Sequence, residues 1–309
     1  MPFDYNLAYE RLLYLPDHSS LVSLRGMALS CRGSFSTERL TMTLRYEKRN
    51  GFAYFTFDNG KVNALTPQMH KDFYYHLRAF EIDDEVRVGI LSSAPGKPFS
   101  AGDDLKNRSE PKRSHQQELE AYLFLHQHEG ATPSRPGWDL DVLQHRRCKP
   151  IIAAIDGYCL GKGLIYVLQH TDIRIASDGA RFGLPEIAYG MGGASGTTRL
   201  ARHIPRVEAA WLALTGEFID AQEALRIHLV NRVVPVAELM ATAEHVAASI
   251  ARNPAIAVRV EMEALDDGWE LSRQDAVRHT QNLYRLQRMG YEGFGADPTE
   301  ILRRKQATD

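Results

Sequence analysis

A chain of 309 residues that is 44% hydrophobic can bury an ample core as one large domain or two modest ones. Its 37 basic and 39 acidic residues leave a net charge of -2, too small a field to gather nucleic acid or an anionic membrane, so neither is expected as a partner. Cys31, Cys148 and Cys159 show no metal-ligand spacing, and no metal site is expected; they read as reduced thiols in or near the core, which fits a cytoplasmic setting. No apolar run reaches the roughly 18 residues of a membrane span. The N-terminus lacks the basic-then-apolar order of a secretory signal. Ser19 to Ser36, with Arg25, Arg32 and no acid, leaves an organelle address open.

Residues 1–40 have no clear period and form an N-terminal extension of unassigned role. The β-rich segments Thr41 to Tyr46 and Phe52 to Phe57 flank Asn50-Gly51, a strong hairpin signal. Thr66-Pro67 is an N-cap followed by proline at the first helical position, and Met69, Phe73, Leu77 and Phe80 then line one face of an amphipathic helix. Val86 to Leu91 is the next strand. After a turn at Pro95-Gly96, the segment Phe99 to Leu105 forms a short loop able to present backbone donors. Lys106 to Arg147 is polar, with a helix expected over Ser114 to His128 and a loop over Gly130 to Gly137. So long a polar connection reads as a lid or surface excursion, and His126 and His128 have poor spacing for a shared metal.

Ile151 to Ile155 is a buried strand ending in the turn pair Asp156-Gly157. Gly161-Lys162-Gly163 leads into an apolar helix over Leu164 to Leu168, whose N-terminal N–H groups could hold an oxyanion. Helices follow over Arg206 to Leu214, Ala221 to Ile227, Val236 to Arg252, Ala255 to Leu265 and Leu271 to Leu286, with a strand over Val230 to Val234 and a short last helix over Thr299 to Lys305. Alternating strands and helices that give way to helices define an α/β protein with a helical C-terminal region.

Four segments in a fixed order carry a family resemblance: Phe99-Ser100-Ala101-Gly102-Asp103-Asp104, then Asp156 to Leu164, then Phe182-Gly183-Leu184-Pro185-Glu186, then Leu229 to Pro235. Together with the Val62-Asn63-Ala64-Leu65 turn, they resemble the crotonase superfamily, the enoyl-CoA hydratase and isomerase family, over Thr41 to Arg288. The resemblance implies a crotonase-like spiral of ββα units over residues 41–235 and a C-terminal helical trimerisation region over 236–309. It implies an acyl-CoA thioester substrate, a homotrimer or dimer of trimers, and no cofactor beyond the CoA moiety of the substrate.

Proton removal beside a thioester puts negative charge on its carbonyl oxygen, which two preorganised N–H groups stabilise; each such donor is typically worth about 10² to 10³ in rate. By family position the donors are the N–H groups of Ala101 and Lys162, and the proton-moving base is Glu186. For CoA the resemblance points to backbone near Ala64 and Leu65, to Lys61 beside the phosphates, and to Asp104 and Leu105 near the adenine. Asp104 also reads as the cap of the following turn. The bland readings are that both loops are ordinary turns and that Lys61 and Glu186 are solvated.

Three departures matter. Lys162 stands where the family carries glycine, so a left-handed dihedral there would be strained. Ile165 occupies the place of a first glutamate, and no shift of one position recovers one; Tyr166, the next residue, reads as core. One extra residue lies between Gly163 and Asp172, which a bulge in the helix could absorb. His170 reads as a satisfied helix-end histidine. A single glutamate favours double-bond migration over hydration. The alternatives are a hydratase, or another reaction of the family, with a non-glutamate helper, and a noncatalytic acyl-CoA-binding homologue. An RNA-binding variant is disfavoured by charge.

Overall fold

Asn50 and Gly51 both take positive φ, 55° and 76°, the arrangement of a two-residue turn whose twist matches paired strands. They join β1 (Leu44–Arg49) to β2 (Phe52–Phe57) in an antiparallel hairpin with Arg49 opposite Phe52. In this computed structural model the described residues are 43–106, 114–116, 119 and 137–290. Residues 1–40 with Cys31, His126 and His128 with nearly all of the polar segment around them, and Thr299 to Lys305 lie outside them. The described residues all belong to the unit Met42–Asp309.

Helix α1 (Pro67–Ile82) starts as the sequence predicts, with the Thr66 side chain accepting from Met69 N at 3.3 Å. Met69, Phe73, Leu77 and Phe80 are all buried on one stripe. They pack on Phe55 and Phe57 of β2, and Phe55 meets Phe80 edge-on at 5.5 Å. β3 (Val88–Ser93), β4 (Ile151–Ile155), β6 (Ile173–Ser177) and β9 (Arg232–Val234) continue the sheet in the order β1-β2-β3-β4-β6-β9. β3 begins two residues later than its apolar run suggests. Every pair after the hairpin is parallel, so each inner strand is covered on both faces and reads as a nearly continuous apolar run. α1 covers one face; Leu239, Ala243 and Ala247 of a C-terminal helix cover Tyr54, Val88, Ile90 and Ile152 on the other.

A second, three-stranded sheet holds β5 (Tyr158–Leu160), β7 (Arg181–Gly183) and β8 (Ile219–Asp220) in the order β5-β7-β8. Between β3 and β4 lies α2 (Trp138–Gln144), and α3 (Lys162–His170) follows β5. The order strand, strand, helix thus recurs in β1-β2-α1 and β4-β5-α3. The longer helices that follow are α4 (Arg206–Thr215), α5 (Ala221–Arg226), α6 (Leu239–Ala251), α7 (Ala255–Gly268) and α8 (Arg273–Gly290). No helix among the described residues is long and apolar enough to cross a membrane. Cys159 is buried and Cys148 half-buried, both as free thiols.

Candidate active site

The loop from Phe99 to Asp104 runs between two others. Ser100 N and Phe99 N donate to the carbonyls of Tyr158 and Asp156 at 2.8 and 2.7 Å, and Leu160 N donates back to Ser100 O at 2.9 Å. On the opposite side Leu65 N donates to Gly102 O at 2.8 Å and Asp104 N donates to Leu65 O at 2.9 Å. Asn63, fully buried with φ 49°, fixes the turn before Leu65 through Nδ2 to Pro98 O at 2.8 Å and through Oδ1 from Asn59 N at 2.7 Å. Ser100 Oγ ties the pieces together by donating to Asn63 O at 2.8 Å and accepting from Gly102 N at 3.1 Å.

This pairing corrects one expected donor. The N–H of Ala101 is given to Val62 O at 3.0 Å, so it closes the loop contact instead of facing a ligand. The next peptide is turned the other way. Because Gly102 O accepts from Leu65, a trans peptide directs the Asp103 N–H away from Leu65. Gly102 itself packs on the second loop: a Cβ at that position would stand 3.2 Å from Leu160 O and 3.4 Å from Lys162 N.

The second loop needs no strained lysine. Gly161, the N-cap of α3, carries the positive φ of 51°, and Lys162 is the first helical residue. The Lys162 N–H is therefore one of the donors at a helix N-terminus that have no partner within the helix. Its side chain turns aside to Asp139 on α2, with Nζ 2.8 Å from Oδ2. Burial opposes the charged form of Asp139, but the charge of Lys162 and its hydrogen bond outweigh it and hold that carboxyl below its ordinary value. Gly163 lets α3 approach Ser100, where a Cβ would meet the serine Cβ at 2.6 Å. The helix is regular from Lys162 to His170, without the bulge that one extra residue suggested.

Glu186 reaches the same place from β7. Leu160 pairs with Gly183, and Gly161 N donates to Gly183 O at 3.0 Å, which sets β7 alongside the glycine loop. Pro185 then starts a short 3₁₀ turn, Pro185–Tyr189, closed by Gly190 in a left-handed conformation. The carboxylate folds back over Gly161, so close that a Cβ there would lie 2.7 Å from Oε1. Oε2 is buried without a hydrogen-bond partner among the described residues. Burial pushes the Glu186 carboxyl up from its ordinary 4.5; its own backbone N–H and the charge of Lys162 pull it down, and the charge of Asp103 adds to the rise.

Ile165 is buried at 4% exposure and places no carboxylate at the site. Tyr166 is buried as expected but is also bonded: its hydroxyl lies 2.7 Å from Nδ1 of His70 on α1. His70 and Asp139 are site residues that no motif in the sequence points to, and Asp103 stands out there only as part of the Phe99–Asp104 segment. His170 is packed on the rings of Phe73 and Tyr166, and its ring nitrogens lack hydrogen-bond partners among the described residues. Burial first, then the charge of Arg147, keeps it neutral, against the pull of the Val142 backbone.

The expected CoA-facing residues divide. Lys61 and Leu105 are exposed, and Ala64 is half-buried with its carbonyl accepting from Asn59 Nδ2 at 2.6 Å. Leu65 has a buried side chain and both peptide groups engaged by the Gly102–Asp104 pairing, so it supports the loop rather than meeting a ligand. Asp104 caps the following turn, accepting from Lys106 N at 3.1 Å.

The parallel sheet thus carries two glycine-bounded loops that meet under a glutamate beside the N-terminus of α3. The profile of the family described as "Enoyl-CoA hydratase/isomerase" matches residues 47–288. The short-chain-enoyl-CoA hydratase of Clostridium acetobutylicum is 37% identical over 233 residues, 75% of this chain and 84% of that protein. The (E)-benzylidenesuccinyl-CoA hydratase of Thauera aromatica is 32% identical over 262 residues, covering 82% of this chain and 96% of its own. Among solved structures, the enoyl-CoA hydratase of Bacillus anthracis superposes with a TM-score of 0.71 at 29% identity, covering 86% of this chain and 96% of that one. The chain belongs to the enoyl-CoA hydratase/isomerase family, within the crotonase superfamily, and is an acyl-CoA enzyme of that family.

Proposed function

We propose that this enzyme forms the enolate of an enoyl-CoA thioester and moves its double bond, with Glu186 carrying the proton from one carbon to another. The N–H groups of Lys162 and Asp103 hold the thioester oxygen, the second replacing the donor expected at Ala101. The observation that carries this reading is the Glu186 carboxylate folded over Gly161, beside the N-terminus of α3, with an Oε2 that is buried and has no hydrogen-bond partner among the described residues. Its raised pKa suits a group that must both take and return a proton. Ile165, in place of a second glutamate on α3, supports migration over hydration. The CoA moiety lies along Lys61, Ala64 and Leu105 with Asp104 at the turn, and the chemistry calls on no other cofactor. Assembly into trimers belongs to the same proposal.

The test is α-proton exchange of butyryl-CoA in deuterated water, followed by mass, together with conversion of 3-hexenoyl-CoA to its conjugated isomer. The wild type should catalyse both. Glu186→Gln should lower both by at least about 10³-fold while CoA binding stays within a few-fold. Exchange that survives in Glu186→Gln would remove the assignment, and no exchange in the wild type would favour a binding protein.

A further inference from the structure

A carboxylate reaches this site from an element other than α3. Asp103 follows Gly102, which is packed on the Gly161–Lys162 step, and its charge is felt by Glu186. The Asp103 side chain is 25% exposed, so part of it meets solvent, while its Oδ1 is buried. Behind it, Nε2 of His70 lies 3.4 Å from Oδ1. Nδ1 of the same ring lies 2.7 Å from the hydroxyl of Tyr166, one residue beyond Ile165. The other acid near His70 is Asp139, paired with Lys162 at 2.8 Å.

The direction of these bonds follows from burial. Tyr166 is fully enclosed, and its phenol is pushed well above its ordinary pKa first by that burial and then by the charges of Asp139 and Asp103. The phenol therefore keeps its proton and donates it to Nδ1. That leaves the ring proton on Nε2, 3.4 Å from the Asp103 carboxylate, close enough for His70 to orient it when the two draw together.

We propose that Asp103, oriented by His70 and through it by Tyr166, is the second carboxylate of this site and holds a water for addition across the double bond. The enzyme then hydrates 2-enoyl-CoA thioesters as well as moving their double bonds. The proposal rests on the reading of Glu186 given above. Asp103 accepts a hydrogen bond from one O–H of the water. Glu186 takes the proton of the other O–H as the oxygen bonds to the β-carbon, and the π electrons move onto the thioester oxygen at the two N–H groups. Glu186 then returns that proton to the α-carbon, so water is added across the bond and both carboxylates end as they began. His70 and Tyr166 are positioning residues in this scheme.

The probe is crotonyl-CoA, its hydration read by loss of the conjugated thioester absorbance, with butyryl-CoA exchange measured alongside on the same protein. Wild type should hydrate crotonyl-CoA. Asp103→Asn should lower kcat for hydration about 100-fold with KM within about threefold, and should lower exchange much less. Asp103→Glu should recover part of the loss, which excludes a folding defect. His70→Gln, which keeps an N–H near the place of Nε2, should retain more hydration than His70→Leu. Tyr166→Phe should lower kcat about tenfold without raising KM. Wild type that exchanges but does not hydrate, or Asp103→Asn that hydrates and exchanges in the wild-type ratio, overturns this proposal alone. Wild type with no exchange overturns the Glu186 reading and this one with it.

Discussion

Gly161 is the residue on which the two halves of the site depend. Its backbone, φ 51° and ψ -128°, matches the first central residue of a type II′ turn, a conformation dominated by glycine. A side chain there is penalised twice. The backbone cost is about 1 to 3 kcal/mol, and the new Cβ would lie 2.7 Å from Glu186 Oε1, which must move. If Glu186 carries the proton as proposed, displacing it by an ångström costs roughly 100-fold. Gly161→Ala should therefore lower exchange of butyryl-CoA about that much and reduce the denaturation midpoint as well. Gly96→Ala is the control, since Gly96 has φ +75° but nothing within 4 Å of an added Cβ. It should lose stability and keep activity; equal activity losses in the two variants would show that backbone strain, not the Glu186 contact, is responsible. The freedom of Gly161 also explains why Lys162 is tolerated: the special dihedral belongs to the residue before it.

At the scale of elements, the alignment of β4 with β6, upstream of the Gly161 loop, is pinned by one buried ion pair. Asp172, at the start of β6, accepts from Ile151 N at 2.8 Å and from the Arg147 guanidinium at 2.8 and 2.9 Å. Arg147 is buried, with its side chain only 7% exposed, so its charge depends on that partner. Asp172→Ala should destabilise by about 3 kcal/mol in urea denaturation, because it strands a buried cation. The pair Arg147→Met with Asp172→Leu should recover most of that loss; failure to recover would place the cost in the Ile151 contact instead.

The same scale decides what the sequence discloses. The hairpin at Asn50-Gly51 and the helix from Pro67 are legible because turn chemistry and a four-residue apolar spacing are local signals. β5 and β7 have three residues each, too short for any period, and they become strands only by pairing with each other. Helix α2 is short and lies at the end of a polar stretch. His70 sits beside core-facing Met69, and nothing local links it to Tyr166, 96 positions away. The Ala101 assignment failed for a related reason: the residue was found by motif position, whereas the direction of its N–H is set by Val62 on another loop.

For the molecule as a whole, the site is a place where stability is given up for function. Burial opposes the ionised form of Glu186, and its carboxyl is raised in the folded state. A group with a raised folded pKa contributes stability below its unfolded value, and that contribution is lost as pH rises through the folded value. Above the ordinary value the unfolded chain solvates the ionised carboxylate, whereas ionising it in the fold meets the cost of burial. Glu186→Gln removes only that charge, so it isolates this group from Glu81 and Asp266, which burial also raises. The variant should melt at a higher temperature than the wild type near pH 7 to 8, with the gap closing as pH falls below the ordinary carboxyl value of 4.5. A calorimetric series across that range checks the sign. If Glu186→Gln melted lower than the wild type at neutral pH, the carboxylate would be stabilised in the fold rather than strained, and its suitability as a base that returns its proton would fall with that result.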